Sequence, residues 1–257
     1  MSMRTVDWTA LRPRTEEPTA EGLRERKKRL MRQQLSDTAT EMFMERGFDA
    51  VRVSEIAEAC GVSEKTVFNY FPTKESLILD LGESTLASLR TGLVEPGLSP
   101  VEAVLRILSD ELHAITSWLA AQDDPVQAGP LILRFGVLTR STPSLRAYQR
   151  DMTDRLVAAA AEILARRAGM GQEEPEPQIA ATVLLGLWPI QFRALGRYLD
   201  GTRTPAELHE AVSTEVRRAA RLIDAGLGSF GALVPGSGGQ PAAPDGSVPS
   251  DSMSPHH

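Results

Sequence analysis

Four pairs of a helix-capping residue followed by proline divide residues 99–225 of this chain into helical segments. The capping oxygen accepts a free backbone N–H at the helix start, and proline at the first helical position has no N–H that needs a partner. In the first and last pairs a glutamate at the third helical position completes a capping box. The four pairs are Ser99-Pro100, Asp124-Pro125, Thr142-Pro143 and Thr204-Pro205. They predict helices near 100–121, 126–140, 143–168 and 205–225, with a further apolar helix near 176–199.

The composition favours helices throughout. Ala, Leu, Arg and Glu dominate the 257 residues, aromatic residues make up only 5%, and no segment alternates as a strand would. The length suffices for one large domain or two modest ones. We therefore predict an all-α protein.

Before residue 75 the predicted helices are shorter. The first runs from about Leu30 to Gly47, with Phe48 folding back on Phe43 as in a Schellman ending. The second covers roughly 54–60. The third runs from 64 to about 71, where Ser63 is its cap and a proline follows. A fourth is predicted from Lys74, capped by Thr73, into the low nineties.

Two short helices joined by a turn containing Gly61 form a helix-turn-helix, whose second helix enters the DNA major groove. Val67 and Phe71 are four residues apart and predict the inner face of that helix. The candidate DNA contacts point elsewhere: Lys65, Thr66, Phe68, Asn69 and Tyr70. Aromatic rings contact thymine methyls, asparagine pairs with adenine, and lysine binds guanine. The alternative is that these aromatic residues belong to the core.

Phosphate contacts are predicted around the same helices. Backbone amides at helix starts, together with Thr66 and Lys74, are suited to hold phosphates. Arg52, Ser54 and Ser63 at the starts of the two short helices are added as candidates. The run 24–32 holds six basic residues and one acid. It is interpreted either as a solvated helix start or as an arm that follows phosphates or enters the minor groove, with Lys27 and Lys28 as contacts.

The run from Thr38 to Leu81, TATEMFMERGFDAVRVSEIAEACGVSEKTVFNYFPTKESLILDL, resembles the DNA-binding region of TetR-family bacterial transcriptional regulators. The resemblance rests on motifs in fixed order: Gly47-Phe48, Ile56-Ala57, Gly61-Val62-Ser63, Tyr70-Phe71 and Lys74-Glu75-Ser76-Leu77. It implies that Lys65, Thr66, Phe68, Asn69 and Tyr70 meet DNA and that Lys74 binds a phosphate. Two departures stand out. Phe68 occupies a position where the family often has Tyr, and Arg52 one where a Thr often caps the second helix.

The resemblance also implies a domain organisation. A three-helix DNA-binding domain at 24–73 would precede a larger helical domain at 74–225 that binds a small molecule and forms a homodimer. The two last predicted helices carry apolar residues around much of their circumference, which agrees with such a dimer. The dimer would bind a palindromic double-stranded operator, and a ligand would release it. The segment LILRFGVLTRSTPSLRA, residues 131–147, resembles regulators that respond to acyl-CoA-like ligands.

Candidate ligand-binding residues are large apolar side chains with polar neighbours, as in most small-molecule sites. They are Trp118, Phe135, Trp188 and Phe192, with His113, Arg134 and Gln191. Each of the aromatic residues could equally be core. Pro189, which follows Trp188 inside a helical pattern, predicts a kink there, because it removes the hydrogen bond to the carbonyl of Leu185.

Several classes of function are disfavoured. A net charge of −6, with 13 basic and 13 acidic residues in 1–75, argues against a generally sticky nucleic-acid binder. No catalytic, metal or cofactor motif is recognisable; the G-x-G-x-x-G at 226–231 lacks a preceding strand. Cys60 is the only cysteine, which fits a cytoplasmic protein, and the apolar run 179–190 is too short for a membrane span.

Residues 1–23 are predicted to be irregular and 226–257 disordered. The main alternative to a regulator is an all-α small-molecule-binding protein without sequence-specific DNA binding. An enzyme built from carboxylates in the helical cavity is a further alternative.

Overall fold

The computed structural model describes residues 22–227, and within them the chain forms ten α-helices and no strand. The prediction of an all-α fold is confirmed. The expectations for residues 1–21 and 228–257 lie outside the described residues. The helices are α1 (Leu23–Arg46), α2 (Val53–Ala59), α3 (Glu64–Tyr70), α4 (Leu81–Gly92), α5 (Pro100–Ala120), α6 (Pro125–Ser141), α7 (Pro143–Ala168), α8 (Pro175–Leu185), α9 (Leu187–Tyr198) and α10 (Pro205–Leu227).

Both predicted capping boxes are present. Ser99 Oγ accepts the N–H of Glu102 at 3.1 Å, while Glu102 Oε2 accepts the N–H of Ser99 at 2.7 Å. Thr204 and Glu207 make the same reciprocal pair at the start of α10. The buried Thr142 makes no such side-chain bond at the start of α7, where proline alone marks the first turn. Local chemistry therefore sets these helix starts, as the sequence predicts.

Residues 22–80, here called the head, pack around their own apolar cluster, which includes Leu35, Ile56 and Val67. The N–H of Gly47 donates to the carbonyl of Phe43 at 2.9 Å, and Gly47 has φ of 87°. This turn brings the ring of Phe48 to 4.8 Å from that of Phe43, centroid to centroid. The predicted fold-back contact is confirmed, and it closes one end of the head's core.

Two predicted helix bounds in the head are wrong. Helix α1 begins at Leu23 rather than near Leu30, so the basic run 24–32 is helical and not an extended arm. The expected continuous helix from Lys74 is instead a short 3-10 turn, Glu75–Leu77, followed by α4 from Leu81. Thr73 caps the 3-10 turn, since its Oγ1 accepts the N–H of Ser76 at 3.2 Å. Burial of Leu77, Ile78 and Leu79 in sequence requires a tighter path than one helix face allows.

Residues 81–227, here called the body, bury a second apolar cluster contributed by α4–α10. The predicted helix 176–199 is interrupted at Gly186, between α8 and α9. Pro189 provides no N–H for the carbonyl of Leu185, so the interruption falls one turn before the proline. By length and composition the stretch Pro175–Tyr198 could cross a membrane, but 44% of its apolar window is buried inside the protein. Its buried residues, among them Ala181, Leu184 and Leu187, pack into the apolar cluster of the body.

The head and the body touch through α6 and α7. Leu145, near the start of α7, is fully buried within the cluster of the head. Phe135 on α6 packs against both clusters. Arg134 Nη2 donates to the carbonyl of Met44 near the end of α1 at 2.9 Å. The connection between α6 and α7 thus packs against the head, although it lies far from the head in the sequence.

Candidate functional site

Helix α3 is anchored by one apolar face. Val67 and Phe71 are fully buried, as their spacing predicts. At the helix start Ser63 Oγ accepts the N–H of Thr66 at 3.1 Å and lies 2.8 Å from Thr66 Oγ1. Ser63 therefore caps α3, and its hydroxyl is engaged with the helix itself.

The opposite face of α3 is presented to solvent. Lys65 and Asn69 are exposed, and Phe68 has 44% of its surface exposed although it is a large apolar residue. Thr66 and Tyr70 are half-buried, and Tyr70 packs against the core of the head. The structure thus brings Lys65, Phe68 and Asn69 together on one accessible surface and sets Tyr70 at its edge.

The start of α2 is closed by an acid in place of a capping hydroxyl. Glu55 Oε2 accepts the N–H of Arg52 at 2.7 Å, and Glu55 Oε1 accepts from Arg46 Nη2 at 2.7 Å. The hydrogen bond from the backbone N–H of Arg52 has the largest effect on Glu55 and lowers its pKa. The hydrogen bond from the Arg46 side chain lowers that pKa further. The Arg52 and Ser54 side chains are exposed beside this turn.

Lys74 is half-buried and its ammonium is bonded within the head. Its Nζ donates to the carbonyl of Phe48 at 2.5 Å and lies 4.4 Å from the centre of the Phe48 ring. The same ammonium is 5.5 Å from the ring of Phe43. Burial lowers the pKa of Lys74, an effect that the charges of Asp49 and Glu75 oppose. Lys74 therefore ties the segment after α3 to the turn after α1.

Lys27 and Lys28 are exposed on the first turns of α1. They belong to the same basic run as Arg32, whose guanidinium instead faces the protein interior and bonds to Asp80. Sequence reasoning missed Arg32 as a distinct residue, because it was grouped with its basic neighbours. Its spacing gave a signal: it lies three residues before Leu35, at the start of the apolar stripe of α1.

The candidate ligand residues differ in burial and in the cluster that they join. Trp118 is buried in the core of the body, and Phe135 lies at the joint with the head. Phe192 has 48% of its surface exposed and His113 is also exposed, beside Ser117. Arg134 binds the carbonyl of Met44, so it belongs to the contact with the head. That these residues bind a ligand stays a prediction.

Concavities in the described part of the body include the following two. One, of about 210 Å³, is lined by residues of α5, α9 and α10 that include the buried Gln191. The other, of about 270 Å³, lies between α4 and α5 and includes Asp110 and Arg106. The four aromatic candidates line neither of these two. Of the predicted ligand residues, only Gln191 borders one of them.

A buried carboxylate in the body was also missed. Glu111 on α5 accepts hydrogen bonds from Thr85 Oγ1 on α4 and from Trp188 Nε1 on α9, each at 2.8 Å. Its signal in the sequence is its position within an apolar stripe, between Leu108 and Leu112 and one turn after Ile107. Trp188 is therefore a partner of Glu111 in this structure.

Comparison with known proteins settles the family. A family profile described as bacterial regulatory proteins of the tetR family matches residues 35–81, and one described as the MftR C-terminal domain matches 114–223. The transcriptional regulator TcmR of Streptomyces glaucescens is 30% identical over 189 residues, covering 71% of this chain and 77% of that protein. The chain belongs to the TetR family. It is a DNA-binding transcriptional regulator and not an enzyme.

Other TetR-family proteins match over similar lengths. The transcriptional repressor AcnR of Corynebacterium efficiens is 28% identical over 189 residues, which cover 73% of this chain and 93% of that protein. A crystal structure of a TetR-family regulator from Streptomyces coelicolor covers 83% of this chain and 88% of that chain, with 23% identity and a TM-score of 0.41. The matched segment 35–81 of this regulator contains α2 and α3 and begins after Lys27, Lys28 and Arg32.

Proposed function

We propose that this TetR-family regulator is a cytoplasmic repressor that binds a palindromic operator as a homodimer and is released by a small, largely apolar molecule. One observation carries the DNA-binding part: α3 buries Val67 and Phe71 completely while exposing Lys65, Phe68 and Asn69. An apolar ring between a lysine and an asparagine on one helix face matches the mixture of methyl groups and polar base edges in the major groove.

Three exposed residues of α3 have base-edge partners. Phe68 would contact thymine methyl groups, Asn69 would pair with the N6 and N7 atoms of adenine, and Lys65 would donate to guanine. Arg52 and Ser54, exposed at the start of α2, would bind phosphates and fix the depth of α3 in the groove. The short α3 thus determines which sequence is preferred, and phosphate contacts from α2 determine where α3 lies in the groove.

Exposed apolar residues on the last helices support a dimer. Ile179 and Val183, four residues apart on α8, expose 59% and 38% of their surface, and Phe192 on α9 exposes 48%. A second copy of the chain would cover them. Two α3 helices related by a two-fold axis would then read half-sites one helical turn apart.

Release by a ligand is supported by the match of 114–223 to a C-terminal domain of the family and by the direct contact between body and head. A molecule that binds the body better in one arrangement of the two heads shifts the population towards that arrangement. Repression is supported by the similarity to AcnR. The alternative, a helical ligand-binding protein without a sequence preference for DNA, is disfavoured by the match of residues 35–81 to the tetR family profile.

The test is a selection from sheared genomic DNA of the host organism. We expect the purified protein to enrich one palindromic motif at moderate salt, and the Lys65→Ala and Asn69→Ala variants to lose that enrichment. Arg90→Ala is the matched control, since it removes one positive charge from an exposed position on α4. Absence of a common motif for the unaltered protein across a range of salt concentrations would overturn the proposal.

A further inference from the structure

Arg32 connects three elements of the head through one guanidinium group. Its Nε and Nη2 donate to Asp80 Oδ2 and Oδ1 at 2.9 and 2.5 Å. Its Nη1 donates to the carbonyl of Tyr70 at 2.7 Å. Its Cζ lies 4.5 Å from the centre of the Phe71 ring. Arg32 is on α1, Tyr70 ends α3, and Asp80 directly precedes α4.

The chemistry of these contacts requires arginine. A planar guanidinium can bind a carboxylate with two parallel bonds, donate to a third acceptor and stack on a ring at once, whereas an ammonium cannot. The carbonyl of Tyr70 is among the last four of α3, which have no partner within the helix. The Asp80 side chain is only 7% exposed, so the pair is shielded from water on its acidic side.

The contacts of Arg32 lie directly beside the exposed surface of α3 that is proposed to bind DNA. Tyr70 and Phe71 follow directly on the exposed Phe68 and Asn69, so the carbonyl that Arg32 holds fixes the C-terminal end of α3. Asp80 stands where the body begins. Within the basic run 24–32, Lys27 and Lys28 are exposed and Arg32 is half-buried, with 33% of its side chain exposed.

We propose that Arg32 is a positioning residue that sets the orientation of α3 against the start of α4, and that it is not a phosphate contact. The inference rests on the proposed function, because it assumes that α3 reads an operator. It predicts a separation of two quantities. Losing Arg32 reduces the preference for operator over random DNA, since base contacts need the helix in place, while binding to phosphates continues.

Salt dependence distinguishes positioning from phosphate binding. Each phosphate contact that is lost lowers the slope of log K against log salt by about 0.9. We expect Arg32→Ala to leave that slope unchanged and to reduce the ratio of operator to random-sequence affinity roughly tenfold or more, the equivalent of one lost base contact. Lys28→Ala should have the opposite effect: it should lower the slope of log K against log salt and leave the ratio of operator to random-sequence affinity unchanged.

The experiment measures binding to an operator duplex from the genomic selection and to a random duplex of equal length at several salt concentrations. The variants are Arg32→Ala, Arg32→Lys, Asp80→Asn and Lys28→Ala. Asp80→Asn is the most telling, because removing a negative charge from the head should on its own strengthen binding to any DNA. We expect it instead to reduce the operator preference as Arg32→Ala does, and the double variant Arg32→Ala with Asp80→Asn to lose no more than either alone.

Circular dichroism and thermal unfolding are measured for each variant to show that it folds. If Arg32→Ala fails to fold, the inference is tested with Asp80→Asn and Arg32→Lys, because both variants keep roughly the size of the side chain. Arg32→Lys is expected to lose an intermediate part of the operator preference. An unchanged operator preference in Asp80→Asn, or equal losses on both duplexes with a smaller salt slope in the Arg32 variants, overturns the inference alone. An unaltered protein with no operator preference overturns the proposed function, and the inference falls with it.

Discussion

Trp188 Nε1 donates a 2.8 Å hydrogen bond to Glu111 Oε2, which joins α9 to α5 inside the body. Thr85 Oγ1 on α4 donates to the other carboxylate oxygen at the same distance. Burial raises the pKa of Glu111 to about 6, although both hydrogen bonds act in the opposite direction. The carboxylate is thus held between three helices of the body, where its charge is costly.

The raised pKa makes the stability of the body depend on pH. Between pH 4.5 and about 6 the folded protein holds a proton on Glu111 that the unfolded chain releases. The free energy of unfolding therefore falls as pH rises through that window, by about 2 kcal/mol in total from this group. Glu111→Gln should remove this loss, because an amide can still accept from Trp188 and donate to the hydroxyl of Thr85.

The measurement is urea unfolding of the unaltered protein and of Glu111→Gln at pH 5 and pH 8. Asp151→Asn is the control, since it removes the same charge from an exposed position on α7. We expect Glu111→Gln to gain stability relative to the unaltered protein at pH 8 and much less at pH 5. An equal effect at both pH values would show that the charge of Glu111 is not the cause.

Lys74 is expected to contribute to the stability of the head. Lys74→Met keeps the apolar stem but removes the ammonium that donates to the carbonyl of Phe48 and faces two rings. We expect a loss of about 1–2 kcal/mol in the free energy of unfolding, the range for a partly buried charged hydrogen bond. Lys65→Met, at an exposed position of α3, should change it by less than about 0.5 kcal/mol. If the two variants have the same stability, the enclosed ammonium contributes nothing.

Lys27 and Lys28 should act as phosphate contacts although they lie on a helix and not on an arm. Replacing both with alanine should weaken binding to operator and random duplexes alike. The slope of log K against log salt should fall by about 1.8, because two phosphate contacts are lost. Titrations at four or more salt concentrations measure it, with Arg90→Ala as a control that removes one positive charge from an exposed position on α4. A slope equal to that of the unaltered protein would exclude both lysines from the interface.

Helix starts in this chain were predictable where the cause is local. Ser99 with Glu102 and Thr204 with Glu207 form their boxes within four residues, so no distant contact decides them. The start of α4 was not predictable, because Thr73 also caps a helical turn, but that turn is only the short 3-10 helix Glu75–Leu77. There the burial of three successive residues in the head overrides the local signal.

The candidate site divides in the same way. The exposed face of α3 follows from the spacing of Val67 and Phe71 alone. The role of Arg134 depends on Met44, 90 residues earlier, and that of Trp188 on Glu111, 77 residues earlier. Contacts at such separations leave no periodic trace in the sequence, which is why neither contact is predictable from it.

The exposed apolar residues of α8 should hold the homodimer together. Ile179→Asp would place a charge at a position that is 59% exposed in one subunit and covered in the proposed pair. We expect it to convert a species of about twice 27.9 kDa into one of that mass in sedimentation velocity, and to weaken operator binding by losing one half-site. Val137→Asp on α6, at a position that is 57% exposed, is the matched control and should stay dimeric. Dimers that persist in Ile179→Asp at micromolar concentration would place the interface elsewhere on the body, and a monomeric unaltered protein would remove the dimer from the proposed function.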